Sequence, residues 1–305
     1  MFESEGVAAL RGLQGKLLQV PDLRPIYANW ASGLNPYCEE LRAFIDEKID
    51  IYVKNEKARE KTRAIDLGWF ASLCYPTAGI EQLKTMALIS MAFFIFDDTI
   101  DKEIDDEAPD FASDFDAATK LRQDSIAYMR HKLFQGQDKS VLCPQVLHPP
   151  QEFASFEEFA PRVTAAKPGQ VDLDRLADDI QEFIDTNALE QTYRLSGSLP
   201  STEEYWTYRH GVGAVFPYSE TGRSLDSIVH ELVEQMYSSA RKFDVAAASL
   251  RAKGLKYDEK VQENIIMFIR AFETFQTGCF KFFMDSKRFG VKAYKQDDGS
   301  YLIPL

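Results

Sequence analysis

The sequence predicts an all-α protein folded as one domain over residues 1–305, and three observations carry that expectation. Apolar residues recur with the helical period over long stretches, alternating strand-like runs are few and short, and helix breakers gather in three places only. Leu173, Leu176, Ile180 and Phe183 make one stripe over residues 171–186, with Asp178, Asp179 and Glu182 off it. Leu225, Ile228, Val229, Leu232, Val233 and Met236 make a second stripe. Val261, Ile265, Phe268, Ile269 and Phe272 make a third, expected to face a core. The breakers lie in QGQDKSVLCPQVLHPPQ, around Lys167-Pro168-Gly169, and in SGSLPST. The first two bracket a loop-rich excursion over about 135–170, and an extended tail is expected after Val291.

Composition narrows the function classes. Hydrophobic residues at 45% and charged residues at 27% are ordinary for a globular protein. Acids outnumber bases 48 to 35, a formal charge of −13, and such a surface repels a phosphate backbone, so no nucleic-acid partner is expected. The longest strongly apolar stretch, Met86 to Phe96, holds 11 residues, short of the roughly 18 that a membrane span needs. MFESEGVAAL has neither the basic start nor the apolar run of a secretory signal. Cys38, Cys74, Cys143 and Cys279 lack pairwise or metal-ligand spacing, which fits a reducing cytoplasm. His131, His148, His210 and His230 have no zinc spacing. No Gly-x-Ser-x-Gly or P-loop occurs, and Gly211-Val-Gly213 lacks the third glycine of a dinucleotide site.

The stretch KTMALISMAFFIFDDTID carries the most chemistry. A strongly apolar helix runs into Asp97, Asp98 and Asp101, where carboxylates face the negative end of the helix dipole and cost stability. Asp97 and Asp101 are four apart and share a face. Ten acids against one lysine between Asp97 and Asp116 are unfavourable unless cations screen them. Hard divalent ions with oxygen ligands suit that role, Mg²⁺ above all where phosphate oxygens complete its octahedron. Phe93, Phe94 and Phe96 lie within a turn of the acids, and Trp69, Phe70 and Tyr75 precede them. A carboxylate rim beside aromatic rings suits a ligand with an anionic head and an apolar body that becomes cationic, since ring faces attract cations. The plain alternative is a solvated acidic loop beside ordinary core rings.

FFIFDDTID, then EQTYRLSGSLPSTEEYWTYRHGVG, then DSKRFG together resemble a class I terpene synthase of the fungal sesquiterpene cyclase type, over roughly residues 65–291. The resemblance implies a helical bundle around a central apolar cavity. It implies an enzyme of the carbon-oxygen lyase class acting on phosphates, which ionises a prenyl diphosphate with Mg²⁺ and steers the carbocation through cyclisation. Farnesyl diphosphate is the implied substrate. Asp97 takes the place of the principal metal ligand, with Asp98 and Asp101 supporting it. Arg209 matches the diphosphate-sensing arginine, Gly213 the glycine at a helix break, and Arg288 the arginine that grips diphosphate. Phe94, Trp69, Phe282 and Phe289 are the implied substrate-facing rings. A homodimer is left open.

Departures from the family pattern are informative. The Arg-Tyr pair reads Arg288-Phe289, and the tryptophan before it reads Phe282. The second metal signature, Asn/Asp-x3-Ser/Thr-x3-Glu, has no match after Arg209: Asn264 is followed by Phe268 and Phe272 at the required offsets. Asp226, His230 and Glu234 imitate the spacing only 17 residues after Arg209, on the outer side of their helix, and imidazole is a poor Mg²⁺ ligand. The join between family-like segments falls at Glu220-Thr221-Gly222-Arg223, so a missing segment near 220–224 is expected. With it go one core helix and much of the ionising power.

Two other readings stay open. A chain-elongating prenyltransferase would need Asp178, Asp179 and Glu182 as a second aspartate motif, although these acids lie opposite their apolar stripe. A non-catalytic relative would bind a prenyl diphosphate or a partner chain through an apolar patch exposed by the missing helix.

Overall fold

The computed structural model describes residues 11–101, 110–135, 150–166, 170–197, 204 and 225–305. Its helices are α1 (Cys38–Tyr52), α2 (Glu56–Ile65), α3 (Leu67–Cys74), α4 (Ile80–Ile100), α5 (Phe115–Leu133), α6 (Phe156–Ala165), α7 (Gln170–Ser196), α8 (Leu225–Gly254) and α9 (Glu259–Asp285). Two short strands, β1 (Leu17–Val20) and β2 (Tyr301–Pro304), pair antiparallel with Leu17 opposite Pro304 and Val20 opposite Tyr301. The all-α expectation holds, and the extended tail finds its partner in β1. Local chemistry sets several helix ends. Asn55, Asp114 and Asp258 each accept a hydrogen bond from the backbone N–H three residues on, capping α2, α5 and α9. Asp66 closes α2 in the left-handed region and is held by Arg42 at 2.6 Å.

The chain divides into two compact units. The first holds α1 from Arg42 onward, α2, α4 from Glu81 onward, α5, α6 and α7. Its core is aromatic: Phe96, Phe153, Phe156 and Phe159 are each buried, and their rings pack in sequence at 4.9–5.5 Å. Three of these rings belong to residues 151–165, inside the stretch expected to be loop-rich. There a 3-10 turn over Gln151–Phe153 and helix α6 form because aromatic residues recur every three positions and bury together. Leu173 and Ile180 of α7 are buried, as their stripe predicts. Asp178, Asp179 and Glu182 are exposed.

The second unit holds β1, β2, α8, α9 and α3 from Gly68 onward. Leu23, Ile26 and Ala240 form a cluster, with Trp30, Val233, Met236 and Phe280 packed on it. Asp226, His230 and Glu234 are exposed along α8. The stripe of α9 needs correction: Ile269 is buried at 1%, but Phe268 is 66% and Phe272 41% exposed. Phe272 stacks on Phe243 at 4.5 Å, while Phe268 lies one helical step off the buried line through Ile269. Apolar spacing alone made that stripe too wide.

Two predictions follow from this packing. A Cβ on Gly278 of α9 would lie 2.5 Å from the Leu73 carbonyl oxygen, so Gly278→Ala should cost about 1–3 kcal/mol in urea unfolding. Gly254→Ala, which meets only the flexible tip of Ile265, should cost less. Glu157 accepts from the Tyr128 hydroxyl and pairs with Lys132, both at 2.7 Å. Burial raises its carboxyl, but these partners outweigh burial and hold it below the ordinary 4.5. A depressed carboxyl stabilises above its unfolded value and stops doing so as pH falls through the folded one. Glu157→Gln should therefore be less stable than the parent at pH 7, with thermal melts converging below pH 4.5.

Candidate functional site

Helix α4 is apolar on nearly every side: Leu83, Ala87, Leu88, Met91, Ala92, Ile95, Phe96 and Ile100 are all buried. It ends at Ile100 with no basic residue in its last turn, so its free carbonyls and its acids share one negative end. The three acids divide. Asp98 is only 3% exposed, whereas Asp97 and Asp101 are partly open to solvent.

Asp97 and Asp101 both meet α7, as their four-residue spacing requires. The Asn187 amide donates to Asp97 Oδ1 at 3.4 Å, and Arg194 forms an ion pair with Asp101. Between those two residues Gln191 donates to the Phe111 carbonyl at 2.6 Å, which ties α7 to the acid-rich stretch at a second point. Arg122 of α5, 4% exposed, donates from Nη2 to Asn187 Oδ1 at 3.2 Å and to Gln191 Oε1. Among the described residues its Nε and Nη1 are buried with no acceptor, an arrangement that costs on the order of 1–3 kcal/mol. Burial pulls the Arg122 guanidinium down to about 10, with the Arg194 charge acting the same way against Asp185 and Asp101. Arg122 therefore stays charged at neutral pH.

The second unit gathers another set of expected residues. Phe282 is fully buried among Phe70 at 4.8 Å, Trp69 at 5.8 Å and Phe289 at 6.0 Å. Arg288 lies 5.8 Å over the Phe289 ring, and its backbone N–H donates to the Ser286 hydroxyl at the end of α9. Trp69, Phe282, Phe289 and Arg288 thus form one cluster. Phe94 is half-buried on α4 in the first unit. Arg209, Gly213 and the junction near 220–224 lie outside the described residues.

The donor chemistry fits a hard cation. Mg²⁺ takes one or two carboxylates and completes its shell with water and phosphate oxygens, and Asp97 with Asp101 supplies two carboxylates on one partly open edge. Among the described residues no three His, Cys, Asp or Glu side chains converge as a ready-made metal cage. Sequence reasoning missed Arg122, Asn187, Gln191 and Arg194. Asn187 and Gln191 continue the line of Leu173, Ile180 and Ile184, are 2% and 0% exposed, and replace apolar residues where the stripe calls for them. A polar interruption of a core stripe was the available signal.

Known proteins resemble this chain in sequence and in fold. The sesquiterpene cyclase hepA of Aspergillus oryzae (strain ATCC 42149 / RIB 40) is 24% identical over 221 residues. The match covers 70% of this chain and 58% of that relative, so the chain spans less than two thirds of the curated protein it matches. The crystal structure of a-eudesmol synthase aligns with a TM-score of 0.57 at 15% identity, over 85% of this chain and 98% of the other. The SVS_A2 protein from ancestral sequence reconstruction aligns with a TM-score of 0.57 at 12% identity, over 88% and 90%. No family model matches. The architecture is the all-helical fold of terpene synthases. Sequence relative and fold together support a class I terpene synthase, similar to a fungal sesquiterpene cyclase.

Proposed function

We propose that this chain is a magnesium-dependent terpene cyclase that ionises a prenyl diphosphate, farnesyl diphosphate first among them, and cyclises the carbocation to a sesquiterpene. The observation that carries the reading is the pair Asp97 and Asp101, held on one partly open edge at the end of a buried apolar helix. Asp97 and Asp101 hold the cation, with Asp98 behind them. Arg288 and Arg209 grip the diphosphate, for which a planar guanidinium offers paired donors, and Gly213 acts at the helix break. Phe94, Trp69, Phe282 and Phe289 supply apolar wall and exclude water from the cation. Bound magnesium supplies charge neutralisation for the departing diphosphate. The cyclase activity named for the Aspergillus oryzae relative and the extent of the a-eudesmol synthase likeness support reading the chain as one synthase domain.

The missing second metal signature sets the rate. Asp226, His230 and Glu234 are exposed, which supports reading them as a solvated face and leaves the Asp97 rim without a second ligand helix. Turnover by this chain is therefore weak. No helix among the described residues is long and apolar enough to cross a membrane.

Incubation with farnesyl diphosphate and Mg²⁺, read by pyrophosphate release and product mass spectrometry, tests the proposal. Slow release that stops on chelation is expected, falling by about 100-fold more in Asp97→Asn. Asp178→Asn, on the exposed side of α7, should match the parent. Release that ignores chelation, or Asp97→Asn equal to the parent, would overturn the mechanism. Fast cyclisation would instead refute the missing-segment claim, and binding of a diphosphate analogue without release would favour the non-catalytic relative.

A further inference from the structure

We propose that Arg122 is a positioning residue for the aspartate rim: it fixes the side-chain amides of Asn187 and Gln191 and, through Asn187, orients the Asp97 carboxylate. The inference rests on the metal-holding role given to Asp97 above.

The argument is one of donors and acceptors. A guanidinium has five N–H donors and no acceptor, so any amide facing it must turn its oxygen inward. Arg122 Nη2 faces both Asn187 Oδ1 and Gln191 Oε1. Each amide is thereby forced to point its N–H groups the other way. Asn187 then meets Asp97 Oδ1, and Gln191 meets the Phe111 carbonyl, both of which can only accept. One buried cation thus settles two amide orientations that would otherwise be free to flip. It also anchors both ends of the stretch that begins at Asp97 and continues past Phe111.

The site is costly in the way a functional one is. Among the described residues Arg122 Nε and Nη1 are buried without acceptors, its guanidinium lies over the Phe115 ring at 5.6 Å, and the charges acting on it are Arg194, Asp185 and Asp101. Apolar side chains of similar volume often serve stability as well as a buried charge or better. What they cannot do is hold an amide by its oxygen. With Asn187 donating to one oxygen of Asp97, the orientation of that carboxylate is held from α7. Groups that orient a metal ligand in this way typically affect metal affinity by 10–100-fold.

The test titrates Mn²⁺ into the full chain and reads the free ion by electron paramagnetic resonance, with circular dichroism confirming helix content. Arg122→Met and Asn187→Leu should each weaken Mn²⁺ binding by about 10-fold or more, and the double variant by no more than the worse single one. Arg122→Lys, which still offers donors to both amides, should retain most of the affinity. Folded Arg122→Met with parental affinity, or single losses that multiply in the double variant, would overturn the inference. If Arg122→Met does not fold, Asn187→Leu decides alone, and unchanged affinity there overturns it. A parent chain that binds no Mn²⁺ would defeat the metal-holding role of Asp97 itself, a different failure.

Discussion

The first unit is organised around an electrostatic conflict at the end of α4. Nine buried apolar side chains commit that helix to the core, and it finishes in carboxylates at the pole where the backbone is already negative. Something positive has to answer. Arg194 answers Asp101 directly, and Arg122 answers from behind through Asn187. Helices α5 and α7 answer the same need, so guanidinium charge stands beside the acids proposed to hold the cation.

Packing around that conflict is aromatic more than aliphatic. Phe96 bridges from the acid-bearing helix to Phe153 at 5.5 Å and to Phe183 at 6.1 Å, so the residue before Asp97 is locked by rings on two other elements. A residue flanked by such a neighbour has little backbone freedom. The i, i+4 acids consequently sit on a rigid element rather than on a loop, as the proposed holding of a small ion at fixed distances requires. In the second unit, Phe282 does the same for the turn carrying Arg288 and Phe289.

Much of this was readable from residues alone, and the exceptions have physical causes. The end of α4 was legible because the 11-residue, strongly apolar run from Met86 to Phe96, followed by Asp97, Asp98 and Asp101, violates the dipole preference openly. The stripe of α7 was legible as far as Phe183, where it stops being apolar. Asn187 and Gln191 continue it geometrically but not chemically, so a hydrophobic pattern passes over them. Helix α6 was hidden by the breakers on either side of it. Phe268 misled in the opposite direction: its spacing fits a core face, but spacing records which way a residue points and not whether another element lies there. The β1–β2 ribbon joins residues nearly a chain length apart, a pairing that no local pattern encodes.

That ribbon also constrains how the molecule is made. Leu23, Ile26 and Trp30 are translated some two hundred residues before their partners on α8 and α9, such as Ala240 and Phe280. Until then those side chains lack the apolar cover that α8 and α9 give them, a state that invites holding by chaperones. The pairing of Tyr301–Pro304 with Leu17–Val20 in turn cannot form until the chain past α9 has been made. Slowed translation shortly before α9 would prolong the vulnerable interval, whereas the first unit, whose helices are nearly consecutive, would already be protected.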